Sequence, residues 1–229
     1  SFIGSIIGLP KVVLKDKDAF KAFNHYRSMA WKIRGVDDPL NSFLRTGNEE
    51  LYAYRFDWDD HRRLFVADFK NLIGAAHATE IPLLSGSYDL VGGYPLSDLI
   101  YPSGISKFYT SRNMMRFWTN FAKNGAPGKS TNGKNWKSYN EQRNFMIIDK
   151  KSNLKMQTDN ISYESLAKEL YKDKRVSSLE KCVILLQMFT FVGNDIYDNE
   201  IKNYQGQCNR KDSEQFLKDN ASFIDYAGN

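Results

Sequence analysis

Apolar positions along the chain change period several times, and each change marks an element. Phe20, Phe23, Ala30 and Trp31, with Arg27 between them, recur at helical spacing behind Asp16, a residue suited to cap a helix N-terminus. This predicts a helix running from Asp16 until Gly35 stops it. Gly35-Val36-Asp37-Asp38-Pro39 then reads as a break, followed by a short helix over Pro39 to Thr46. From Leu51 to Trp58 the period becomes two, with Tyr52, Tyr54, Phe56 and Trp58 on one face, which predicts a strand. Asp59 to Gly104 is rich in Gly, Pro, Asp and Ser and reads as a long loop with an apolar island at Ile81-Pro82-Leu83-Leu84. Ser111 is placed to cap a helix that buries Met114, Met115, Trp118, Phe121 and Ala122 and stops at Gly125. Phe145 to Asp149 and Leu154 to Met156 form a hairpin pattern, and three helices follow, over Tyr163 to Lys174, Ser177 to Val192 and Asp212 to Tyr226. No repeat, low-complexity tract or linker interrupts this order. Residues 1–229 therefore read as part of one α/β domain without an internal boundary.

Composition narrows the class. At 229 residues, 41% hydrophobic and 14% aromatic, the chain can build a sizeable core, which excludes a disordered segment or a disulfide-dense miniprotein. No apolar run approaches the ~18 residues of a membrane span, and the opening SFIGSIIGLPKVV has no charged stretch before its apolar residues, so no signal peptide is read there. Because the chain opens in mid-pattern on Ser1-Phe2-Ile3, it is expected to belong to something longer. The net charge of +5 invites a nucleic-acid reading, but the excess lies between Lys129 and Lys181, dispersed over a loop, a hairpin and a helix. With no Arg stripe, stacking motif or zinc-finger spacing, that excess reads as a solvated surface and nucleic acid is not expected as a partner. Cys182 and Cys208 can close one bridge or stay reduced, and two cysteines leave the compartment open.

Few residues suggest chemistry. His77 lies in Gly74-Ala75-Ala76-His77-Ala78-Thr79-Glu80, on a loop after the expected strand, where small neighbours let the backbone approach other chain closely. Such an imidazole can serve as a general base, or it can be a core histidine satisfied by hydrogen bonds, the commoner fate of the residue. His25, on a polar helix face, and His61, beside Arg62 and Arg63, read as surface residues. His77-x-x-Glu80 supplies two ligand types for a metal, but no nearby His or Cys completes a set, so neither metal nor cofactor is expected. Gly125 to Ser130 mimics a phosphate loop but has Lys123 where the pattern needs glycine, and it follows a helix. Asn160-Ile161-Ser162 and Asn220-Ala221-Ser222 fit the glycosylation triplet, which matters only in a secretory setting. Gly-x-Ser-x-Gly is absent: Gly104-Ile105-Ser106-Lys107-Phe108 lacks the second glycine and Gly4-Ser5-Ile6-Ile7-Gly8 lacks the serine.

Three segments in order carry a resemblance: Tyr54-Arg55-Phe56-Asp57-Trp58-Asp59, then Leu72 to Pro82 around His77, then Phe117-Trp118-Thr119-Asn120-Phe121-Ala122-Lys123-Asn124-Gly125-Ala126-Pro127-Gly128. They resemble the C-terminal part of type-B carboxylesterases, the carboxylesterase and cholinesterase family of α/β-hydrolases, bacterial members especially. Trp31 to Asp37, Trp136 to Tyr139 and Phe145 to Asp149 extend the likeness, which fades after Lys150. The resemblance implies the last sheet strands and packing helices of an α/β-hydrolase domain. It also implies a serine carboxylesterase acting on a small-molecule ester through a Ser, Glu or Asp, His triad. His77 would be the histidine, with serine and acid in an N-terminal part of the same enzyme. Glu80 resembles the family's glutamate after the histidine and is expected to support the loop. By proximity, Leu83, Leu84 and Tyr88 are expected to border the substrate pocket. The alternative is a non-catalytic interaction or adhesion member of the same fold family.

Overall fold

The computed structural model describes residues 2–6, 9–89, 92–150, 153–189, 204 and 207–219, residues 2–6 and 9–13 by their backbone alone. Two compact units emerge, one built from residues 1–15 and 40–159, the other from 16–39 and 160–229.

In the first unit, β1 (Phe2–Ile6) and β2 (Leu9–Val13) pair antiparallel with Phe2 opposite Val13. The other sheet is small and mixed. Its strands are β3 (Tyr54–Phe56), β4 (Asn144–Ile148) and β5 (Leu154–Thr158), in the order β3-β4-β5. β3 runs parallel to β4 with Tyr54 opposite Met146, and β4 pairs antiparallel with β5 to make the expected hairpin. The expected strand from Leu51 to Trp58 is thus paired only over its three central residues. Phe145 to Ile148 are all buried, as befits a strand covered on both faces.

Among the described residues, four helices lie wholly within this unit: the short α3 (Phe69–Leu72), α4 (Ile81–Ser85) and α5 (Leu96–Ile100), and the long α6 (Ile105–Asn124). α6 begins earlier than its sequence suggests. Ser111, expected to cap it, lies inside, and its hydroxyl donates to the Leu83 carbonyl at 2.6 Å, tying α6 to α4. The buried stripe is correspondingly rotated. Thr110, Asn113, Met114 and Phe117 face inward, while Met115 and Phe121 are exposed, because Thr110, Ser111 and Asn113 find hydrogen-bond partners inside. Gly125 ends the helix in the left-handed conformation (φ 72°), as a glycine there allows.

The second unit is helical. α1 (Lys17–Lys32) starts at Asp16, whose carboxylate accepts from the Ala19 N–H at 2.8 Å, and buries Ala22, Tyr26 and Ala30 at successive turns. The expected stop at Gly35 does not occur. A π-helical turn over Ile33–Asp37 carries the chain into α2 (Asp38–Arg45), whose residues from Leu40 on are counted with the first unit. The side chains explain why: Lys32 and Asp37, five residues apart, match the wider π turn and pair at 2.8 Å with the Asp37 carboxylate 1% exposed. Pro39 lies in the first turn of α2, directly after the π turn.

α7 (Tyr163–Lys172), α8 (Ser178–Phe189) and α9 (Arg210–Asp219) complete the unit, the expected ends at Val192 and Tyr226 lying outside the described residues. Ser162 and Ser165 form a reciprocal capping box at the start of α7. Residues 182–186 of α8 are buried all round, and Cys182 is joined to Cys208 by a disulfide. Among the described residues no helix is long and apolar enough to cross a membrane.

One part-buried polar contact ties α1 to the end of α7. The Tyr26 hydroxyl donates to Asp173 at 2.8 Å while Arg175 holds the same carboxylate through two nitrogens. The Arg175 guanidinium keeps the Asp173 carboxyl below the usual carboxylate range, and burial pushes the Tyr26 phenol up. Since the Asp173 pKa is depressed in the folded state, its contribution is present in full above the ordinary value of 3.8 and is lost as pH falls through the folded value. Asp173→Ala leaves a buried phenol without its acceptor and is expected to cost about 1–3 kcal/mol. A urea titration checks this: the midpoint falls with an unchanged slope at pH 7, and an unmoved midpoint contradicts the assignment.

Candidate functional site

β3 ends at Phe56, and the chain after it builds the site. Trp58 is fully enclosed and stacks on Tyr101 with ring centroids 5.7 Å apart and planes 11° from parallel. Its indole N–H donates to the Ser106 hydroxyl at 3.1 Å. His61, expected on the surface because two arginines follow it, is instead 5% exposed, edge-on to Trp58 at 5.2 Å and to Tyr101 at 6.4 Å. The arginines turn outward: Arg62 reaches Asp98 at 2.6 Å and holds that carboxyl below its ordinary value, while Arg63 faces Asp68. His25 lies on its helix near Glu169, 3.1 Å away.

The loop with His77 is carried on this aromatic platform. It follows α3, turns at Gly74 in the left-handed conformation (φ 60°), and leads through Ala78 and Glu80 into α4. His77 is exposed. Ala78, its neighbour, has φ 67°, a conformation that costs an L-residue about 1–2 kcal/mol. Three bonds hold the loop in that strained shape. The Thr79 hydroxyl and N–H both donate to the Ala76 carbonyl, at 2.6 and 3.2 Å, and the Tyr101 hydroxyl donates to the Thr79 carbonyl at 2.9 Å. Backbone strain maintained by its surroundings is found at functional sites.

Glu80 is half-buried at the head of α4. Its charge acts on Tyr101, whose phenol is pushed up to about 12 by burial first and by Glu80 and Tyr88 next, and on Tyr54, raised by burial and Glu80. Tyr101 therefore keeps its proton, and with it the bond to the His77 loop, across the neutral range. A raised phenol stabilises the fold in full below the ordinary value of 10.0, and this is lost as pH climbs towards about 12.

Of the three residues expected to border a substrate pocket, Leu83 is 0% exposed and sits in the core, while Leu84 is half-buried against the same cluster. Tyr88 lines a cavity of about 490 Å³ together with Gly86, Lys107, Phe108, Ser111, Arg112 and Met115. Lys107 crosses the Tyr88 ring at 3.6 Å and donates to the Tyr101 carbonyl at 3.1 Å, and burial lowers its pKa. Sequence reasoning missed the Trp58, His61 and Tyr101 cluster because its members come from a strand end and two irregular stretches, with no shared periodicity.

His77 thus stands exposed on a loop after a short parallel strand, with the half-buried Glu80 three residues further on at the head of α4. Residues 28–167 match the model of the carboxylesterase family, well over half of the chain, and the chain belongs to that family. Membership implies the α/β-hydrolase fold, and the helices and mixed three-stranded sheet fit part of such a domain. It supports an esterase-type function in general. Among curated proteins the comparison finds no match.

The strain at Ala78 yields a prediction. Ala78→Gly removes the left-handed penalty at the cost of added unfolded-chain entropy, a net gain of roughly 0.5–1 kcal/mol. Thermal unfolding of this variant is expected at a higher Tm, and a lower one shows that the turn is not strained as described.

Proposed function

We propose that this chain supplies the histidine of a serine carboxylesterase, with His77 as the general base and with the serine nucleophile and acid on chain outside these 229 residues. The observation that carries the proposal is the family match over residues 28–167, within which His77 is the one exposed histidine on a braced loop. His61 is enclosed by the core and His25 falls before the match begins.

In this reading the His77 imidazole takes the proton from the serine hydroxyl as its oxygen attacks the ester carbonyl carbon. The tetrahedral intermediate collapses, the bond to the alcohol oxygen breaks, and His77 returns the proton to the departing alkoxide. Water then repeats the cycle on the acyl-enzyme, so ester and water become acid and alcohol. The acid partner orients the other ring nitrogen and stabilises the imidazolium. Glu80 acts on the loop and its tyrosines, and Tyr88 with its cavity borders the ester. The residues here contain no Gly-x-Ser-x-Gly, so catalysis needs the polypeptide or partner chain that carries it.

His77→Ala in the polypeptide carrying the Gly-x-Ser-x-Gly segment is expected to reduce turnover of a simple aryl ester by at least about 10³-fold. Assays with p-nitrophenyl acetate decide it, and near-normal turnover refutes the role.

A further inference from the structure

We infer that His61 is a positioning residue for the His77 loop, an inference that rests on the esterase reading just given. Its two ring nitrogens meet two backbone carbonyls from different segments: Nδ1 lies 2.6 Å from the Ile100 oxygen at the end of α5, and Nε2 lies 2.8 Å from the Gly74 oxygen. A neutral imidazole donates to one of them, and a ring carrying both N–H protons donates to both. The ring has little freedom to turn, since Trp58 and Tyr101 stand edge-on to it and its own backbone N–H donates to the Asp59 carbonyl at 2.8 Å.

Gly74 precedes His77 by three residues and Thr79 follows it by two. The first is pinned by His61 and the second by Tyr101, and the two anchoring rings belong to one cluster around Trp58. His77 is thus bracketed on both sides from one platform, which fixes where its imidazole is presented. An apolar side chain at position 61 could fill the same space against Trp58 and Tyr101, but it could not span the two carbonyls. The polar bridge, and not the packing, is what position 61 contributes to catalysis. Misplacement of a catalytic group by about 1 Å costs on the order of 10²-fold in rate.

The test compares His61→Phe, which keeps a ring and loses both nitrogens, with His61→Gln, whose amide nitrogen can take the place of ring Nε2 and donate to the Gly74 carbonyl on the His77 loop, in the polypeptide carrying the serine. Competent sites are counted by titration with an aryl phosphonate, so that kcat refers to folded enzyme. His61→Phe is expected to lower kcat for p-nitrophenyl acetate by about 10- to 100-fold with KM changed by less than about threefold, and His61→Gln to recover most of the loss. Wild-type kcat per titrated site in His61→Phe overturns the inference, as does a His61→Gln variant no better than His61→Phe. Should His61→Phe not fold, His61→Asn, too short to reach the Gly74 carbonyl, replaces it with the same expected loss and the same contradiction. His77→Ala separates the two claims. If that variant is active, the esterase reading fails; if it is inactive while His61→Phe is normal, only the positioning role fails.

Discussion

The stack of Trp58 on Tyr101 is the contact from which the site is built. It joins the chain leaving β3 to the chain leaving α5, and it does so where neither segment has a regular partner. Two large rings removed from water offset the entropy of ordering the irregular chain around them, each worth on the order of 1.5–3 kcal/mol. Everything polar nearby is arranged against those rings. His61 sits at their edges, Tyr101 reaches the Thr79 carbonyl, Lys107 holds the Tyr101 carbonyl, and Ser106 takes the indole N–H. The loop can therefore tolerate an alanine at φ 67° beside its histidine, since the surrounding bonds over-determine its path.

How much of this was legible in the sequence depended on whether local chemistry or long-range contact decided the outcome. The hairpin at Phe145 to Met156, the cap at Asp16 and the stop at Gly125 each follow from a few adjacent residues, and the structure has them. The position of His77 on a loop after a strand was legible for the same reason, with its small-residue surroundings as the signal. Gly35 misled because its helix-breaking tendency was weighed alone, whereas the Lys32 and Asp37 pair makes a π turn the better solution. Ser111 misled because a good capping residue is also a good hydrogen-bond donor, and the Leu83 carbonyl claims it. His61 was hidden by Arg62 and Arg63, which point away from the ring they follow; only the fold brings Gly74 and Ile100 to its two nitrogens.

The second unit has a different basis. Its helices share an apolar core, tied together by the Tyr26, Asp173 and Arg175 contact and by the Cys182 to Cys208 disulfide. The family match stops at residue 167, before that bridge, so the disulfide belongs to the part of the chain that the family model does not describe. The match does contain β3, the platform and the His77 loop on which the proposed chemistry rests.

The central claim is that the braced loop presents His77 to a serine supplied by other chain. A crystal structure of the polypeptide inactivated with an aryl phosphonate tests it most directly. The account predicts a phosphonylated serine whose Oγ lies about 3 Å from a His77 ring nitrogen. A phosphonylated serine facing a different histidine, with His77 turned to solvent, would contradict it.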